Sequence, residues 1–111
     1  MTTTNQLNFE RIYPVPPDVL FAAVKSAISD GPYKSPSADD FTRSVRYGTK
    51  ATLTSYALDW AGQVTTDQEG AKLRLTGTSK KKLLAEGARP MKLAEALFAD
   101  VSRRASEAIV S

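Results

Sequence analysis

The sequence contains neither cysteine nor histidine. Without cysteine there is no disulfide, no thiolate nucleophile, no iron–sulfur cluster and no Cys-ligated zinc. Without histidine there is no Ser-His-Asp or Cys-His triad, no His-ligated metal and no imidazole general base. A metal would need oxygen ligands alone, and no such set is apparent, so neither metal nor cofactor is expected. Long apolar runs are also missing. The longest, Val19–Val24, has six residues, against about 20 for a membrane span. Residues 1–5 carry no basic group and no apolar stretch follows them, so no secretory leader is expected. The expectation is a cytoplasmic protein, residues 1–5 disordered and residues 6–111 one domain. Catalysis would have to rest on carboxylates, Lys, Tyr, Ser and Thr, which makes an enzyme the less expected class.

What is present is ordinary for a globular chain: 111 residues, 41% hydrophobic and 24% charged. That length suits one domain and buries roughly 65% of its extended surface. The net charge of +3 lies wholly in the last third. Lys80, Lys81, Lys82, Arg89 and Lys92 are opposed there only by Glu86. Such a block could meet phosphates or another polyanion. Its plainer reading is a solvated loop before a helix, and nucleic acid is the least favoured partner.

Hydrophobic periodicity divides the chain. Residues 6–13 alternate as a strand, with Leu7, Phe9 and Tyr13 on one face. Arg11 and Ile12 break that pattern, which suggests a bulge or a strand end. Pro16 and Pro17 with Asp18 are suited to a helix start. Leu20, Val24, Ala27 and Ile28 continue it at helical spacing until Gly31-Pro32. Residues 31–39 read as a turn-rich connection. A strand is expected over 40–47, from Phe41, Val45 and Tyr47. A hairpin signal follows at Gly48-Thr49-Lys50, then a short strand to Thr54. Residues 57–66 alternate most cleanly, with Leu58, Trp60, Gly62, Val64 and Thr66 together. Gly62 suggests room for the indole or for a closely approaching element. After a turn at 67–70, Leu73 and Leu75 mark the last strand. Residues 90–110 form a long helix with Leu93, Leu97, Val101 and Ala105 in line. Asp100–Arg104 and Arg103–Glu107 are spaced to pair along it. The class is α+β, in the order β-α-β-β-β-β-α. The expected architecture is an antiparallel twisted sheet with the long C-terminal helix across one face.

Two segments carry a resemblance. Pro16-Pro17-Asp18-Val19-Leu20-Phe21 is similar to the helix lead-in of the START and Bet v 1-like superfamily. The strand at Trp60-Ala61-Gly62-Gln63, the strand Ala71 to Gly77 and the final helix resemble the closing half of its helix-grip domain. The chain thus resembles a reduced helix-grip domain over residues 6–110. The resemblance implies a sheet wrapped on its last helix and a binder or carrier of apolar ligands. It transfers no catalytic residue.

Candidate ligand contacts follow from where the helix would lie. Arg43, between Phe41 and Val45, is expected on the apolar face, where a charge needs a partner or an anionic ligand. Its plainer reading is a packed stem with a solvated head. Tyr47 and Trp60 could stack on a flat ligand, with Phe98 on the helix above, although inner-face aromatics usually serve as core. Asp59, Asp67 and Glu69 read as solvated surface. Ser79 to Lys82 fits S-x-x-K without the companion motifs, and Arg103-Arg104-Ala105-Ser106 fits a kinase site inside a helix; both read as chance. A helix-turn-helix over 80–97 would have too short a first helix. The leading expectation is a non-catalytic binder of a small apolar or anionic ligand between sheet and final helix. The alternatives are a homodimeric interaction module with a filled core, and polyanion binding through 80–92.

Overall fold

A computed structural model describes residues 6–49, 58–78 and 89–110. The elements are β1 (Gln6–Tyr13), α1 (Pro17–Asp30), β2 (Lys34–Asp39), β3 (Ser44–Thr49), β4 (Leu58–Asp67), β5 (Gly70–Thr78) and α2 (Arg89–Val110). The strands form one antiparallel sheet in the order β1-β5-β4-β3-β2. The class and element order are those expected. The pentapeptide 1–5, the strand expected to end at Thr54, Lys80 to Lys82 and the first half of the 80–97 region lie outside the described residues.

Alternation sorts the sheet into two faces. Val45, Tyr47, Leu58, Trp60, Val64, Leu73 and Leu75 are buried on the inner face. Arg46, Asp59, Ala61, Gln63 and Arg74 are exposed on the outer one. Both helices cover the inner face. Leu20, Val24, Ala27 and Ile28 of α1 and Leu97, Phe98, Val101 and Ala105 of α2 complete the core. Each fully buried aliphatic side chain there contributes about 1.5–3 kcal/mol of transfer free energy.

The register of β1 on β5 runs unbroken from Gln6↔Thr78 to Tyr13↔Ala71, so of the bulge or strand end expected at Arg11 no bulge forms, and the strand continues to Tyr13. Arg11 stays in line with Phe9 and Tyr13, and its guanidinium lies 4.9 Å over the Phe98 ring. An aromatic face accepts the cation, so the strand need not deform to expel it. Next to it, the Tyr13 hydroxyl donates to the Phe98 carbonyl at 2.9 Å, tying the first strand to the last helix. Burial pushes the Tyr13 phenol up to about 12, against a smaller opposing effect of Arg11.

The middle of the chain departs from expectation. Residues 34–39, expected as turn, form the edge strand β2, all six exposed. The strand expected over 40–47 starts only at Ser44, and residues 40–43 turn between β2 and β3. The Asp39 carboxylate accepts from the backbone N–H groups of Phe41 (2.9 Å) and Thr42 (3.4 Å), which fixes this turn. Phe41 therefore leaves the inner face and is 96% exposed. Gly48 and Thr49, read as a hairpin, lie inside β3.

The helices are clasped by ions. Arg104 donates to Ser26 at 2.6 Å and Asp30 at 2.8 Å on α1, and to Asp100 at 3.1 Å on its own helix. Arg103 bridges Asp100 at 2.7 Å and Glu107 at 3.0 Å. Partial burial would raise the Asp100 carboxyl, but the hydrogen bonds from the two arginines outweigh it and hold it below the usual carboxylate range. A depressed folded value means this stabilisation is present above the unfolded value of about 4 and is lost as pH falls through the folded one. The melting temperature of the wild type should exceed that of Asp100→Asn at neutral pH. The gap should close as pH is taken below about 4. A gap independent of pH, followed by circular dichroism, would show that Asp100 carries no linked charge.

Candidate functional site

The site is built on one row of the inner face. Tyr47, Trp60 and Gly77 are register partners on β3, β4 and β5, and Leu7 of β1 completes the row. Gly77 is what makes the row possible. A Cβ at that position would lie 2.9 Å from two atoms of the indole ring, so the ring occupies the space a side chain would need. Gly62 does not serve the indole; its space is filled by Val45, at 2.9 Å from a Cβ placed there, and by Leu75 at 3.1 Å. The space at Gly62 is thus taken by side chains of its own cross-strand neighbours on β3 and β5 and not by the indole.

The indole fills the row and extends it. The Tyr47 and Trp60 planes are 7° from parallel, with centroids 6.2 Å apart. Tyr33 meets Tyr47 edge-on at 4.8 Å, and Phe9 tilts against Trp60 at 6.2 Å. The result is an aromatic run, Tyr33–Tyr47–Trp60–Phe9, beneath the helices. Burial, reinforced by the neighbouring Tyr33, pushes the Tyr47 phenol far above its ordinary value, so it remains a neutral hydroxyl. Trp60 is 2% exposed, and among the described residues its buried Nε1 has no hydrogen-bond partner. A buried donor left unpaired costs about 1–3 kcal/mol, so native structures rarely keep one without a reason.

Four side chains were expected to converge here, and two do. Tyr47 and Trp60 are in contact. Phe98 is buried toward β1, under Arg11 and beside Tyr13. Arg43 sits in the β2–β3 turn with φ 52°, not on the strand's apolar face. Its guanidinium is bonded to Asp18 of α1 at 2.8 and 3.2 Å, so its charge has a partner within the chain. Of the basic block, Lys92 is exposed on α2; the side chain of Arg89, like Lys80, Lys81 and Lys82, is outside the described residues. The contributions of Gly77, Tyr33 and Phe9 were not anticipated. Gly77 could be recognised only from strand register, since nothing adjacent in sequence marks it as the partner of Trp60.

Among the described residues no group of three His, Cys, Asp or Glu side chains is placed to hold a metal ion, and no helix is long and apolar enough to cross a membrane. The row therefore offers apolar aromatic surface and one unpaired N–H.

No family model and no curated protein matches the sequence. Solved structures do match in shape. Ara h 8.0201, a Bet v 1 family allergen, superposes with a TM-score of 0.65 at 15% identity, covering 92% of this chain and 97% of its own. TTHA0849 from Thermus thermophilus gives 0.56 at 14% identity, covering 93% and 98%. SA2116 from Staphylococcus aureus, a protein of unknown function, gives 0.53 at 8% identity, covering 96% of each chain. At such identities the likeness is one of fold alone, and the fold is Bet v 1-like: an antiparallel sheet closed on one face by a long C-terminal helix.

Proposed function

We propose that the protein is a non-catalytic binder of a small, largely apolar ligand held between the sheet and α2, against Tyr47 and Trp60. The observation that carries this reading is the buried, unpartnered Nε1 of Trp60. A ligand with a carbonyl or carboxylate oxygen would accept that N–H, while its apolar body replaced side-chain contacts along the aromatic run. The inner face is closely packed, so binding would favour a minor conformation in which α2 stands further from the sheet. The Bet v 1-like fold supports this reading, and so does the apolar character of the row.

Anilinonaphthalene sulfonate, apolar with an anionic group, tests it directly. Trp60 is the only tryptophan, so its emission reports on this row alone. Saturable dye binding, one per chain, with a parallel fall in Trp60 emission is the expected result. Dye fluorescence that never saturates, or that leaves Trp60 emission unchanged, overturns the proposal.

A second reading, a homodimeric interaction module, is favoured by Phe41. It stands 96% exposed on a turn braced by Lys25–Asp40 and Arg43–Asp18, each at 2.8 Å. Ordered aromatics are common interface anchors. Sedimentation over a wide concentration range separates the readings: a monomer throughout removes this one, and a dimer dispersed by Phe41→Ser establishes it.

A further inference from the structure

The outer face of the sheet carries a different chemistry. Several charged side chains among the described residues are ion-paired: Arg74 with Glu10, Lys25 with Asp40, Arg43 with Asp18, and the two arginines of α2 with three carboxylates. Lys34, Arg46 and Asp59 are exposed, and among the described residues they form no ion pair with one another or with other groups.

These three charges are neighbours. Lys34, Gly48 and Asp59 are register partners across β2, β3 and β4. Arg46, Ala61 and Thr76 make the adjacent row across β3, β4 and β5. Arg46 and Asp59 are thus diagonal neighbours on one face, roughly 7–8 Å apart at the backbone. Gly48 and Ala61 put no bulk between them. A hollow of about 550 Å³ lies there, bordered by Lys34, Arg46, Asp59, Thr76 and Thr78. Two further hollows of about 310 Å³ adjoin it along the face, and both share Arg46.

We propose that this hollow binds a small zwitterion, with its carboxylate or phosphate on Arg46 and Lys34 and its ammonium on Asp59. The mixture of charges selects the ligand. Two cations alone would suit a plain anion, but Asp59 in the same wall repels one and attracts a cationic group. The guanidinium offers planar paired donors to an oxyanion. The Thr76 hydroxyl already donates to Asn8 at 2.9 Å, so it faces the ligand as an acceptor, suited to an ammonium. Tyr47 and Trp60 also border this hollow, but their side chains are buried on the inner face, whereas the three charges stand on the outer one; the zwitterion proposal uses only those outer-face groups.

Nitrogen–proton correlation spectra of the labelled protein test the proposal with four probes. Glycine and phosphoethanolamine are zwitterions with different oxyanions; acetate and ethylamine carry one charge each. The expected result is saturable shifts at Arg46, Gly48, Ala61 and Thr76 with at least one zwitterion. Acetate and ethylamine should bind at least tenfold more weakly. Preference for phosphoethanolamine assigns a phosphate head, and preference for glycine a carboxylate. Arg46→Gln should weaken the zwitterion about tenfold, and Asp59→Asn should reduce it to the level of acetate. Both side chains are exposed, so neither change disturbs the core, and Gly48→Val, which fills the floor of the hollow, is an independent block. No saturable shift with either zwitterion overturns the proposal. So does acetate binding as tightly as the zwitterions, or affinity that survives Arg46→Gln.

Discussion

Gly70→Ala should destabilise the protein by about 3 kcal/mol, combining a strained backbone of about 1–3 kcal/mol with steric overlap of similar size. Gly70 opens β5 at φ 144°, a region that side-chain-bearing residues rarely adopt. The space is closed as well. A Cβ there would lie 2.3 Å from the Tyr13 carbonyl oxygen, 2.8 Å from the Val15 nitrogen and 3.0 Å from Pro14 Cα. All three are backbone atoms at the corner between β1 and α1, where Pro14, Pro16 and Pro17 restrict the chain. They cannot rotate aside as a side-chain tip could. The turn is also held from the other end, where the Asp67 carboxylate accepts from the Glu69 N–H at 3.1 Å. Urea denaturation measures the effect; a loss below about 1 kcal/mol would mean that the corner relaxes to admit a methyl group.

Trp60→Ala should cost about 3–5 kcal/mol, as expected for a buried aromatic removed from a packed core. The indole touches Tyr47 on one side and Phe9 on the other, and it fills the space over Gly77. Its loss opens a void that glycine cannot fill. Trp60→Phe separates packing from polarity. It keeps an aromatic ring on the row and removes the N–H that has no partner. Losing an unsatisfied donor offsets part of the lost contact, so the cost should be only about 1 kcal/mol. The same variant should bind anilinonaphthalene sulfonate several-fold more weakly if the N–H meets the dye's sulfonate. Trp60→Phe as damaging as Trp60→Ala would mean that the indole matters for its full shape, and its nitrogen for nothing.

The elements that were readable from sequence are those that bury one face. Leu58, Trp60, Gly62 and Val64 alternate because these inner positions of β4 are buried, while Thr66 at the strand's end is exposed. The stripe Leu97, Val101, Ala105 marks α2 for the same reason. The edge strand β2 buries nothing, so Lys34 to Asp39 left no periodic trace, and Pro36 argued against a strand. Proline is tolerated there because an edge has one side that need not donate. The register also shifts between Lys34 and Ser37. Phe41 misled because it falls two positions before Arg43 and four before Val45, in phase with a strand that had not yet begun. The signal to the contrary was Asp39, whose carboxylate caps the two following turn amides. Of the site, Tyr47 and Trp60 were legible as inner-face aromatics. Gly77 was not, because its pairing with Trp60 depends on the exact register of the β4–β5 hairpin, and Phe9 was not, because β1 joins the sheet from a distant part of the chain. Arg43 was misplaced with Phe41, and its pairing with Asp18 depends on where α1 crosses the turn.

The pairing of the first strand with the fifth bears on how the chain acquires its structure. Gln6 meets Thr78, and Phe9 meets Leu75. A growing chain can close the β2–β3 and β4–β5 hairpins locally, but β1 has no edge to join until β5 has been made. Its last tie, from the Tyr13 hydroxyl to the Phe98 carbonyl, must wait for α2. Contacts of such long sequence separation slow folding, since the intervening chain loses its freedom before the contact stabilises anything. Leu7, Phe9 and Tyr13 therefore stay exposed through most of synthesis, and β1 is the segment on which a chaperone or an aggregating neighbour would first act.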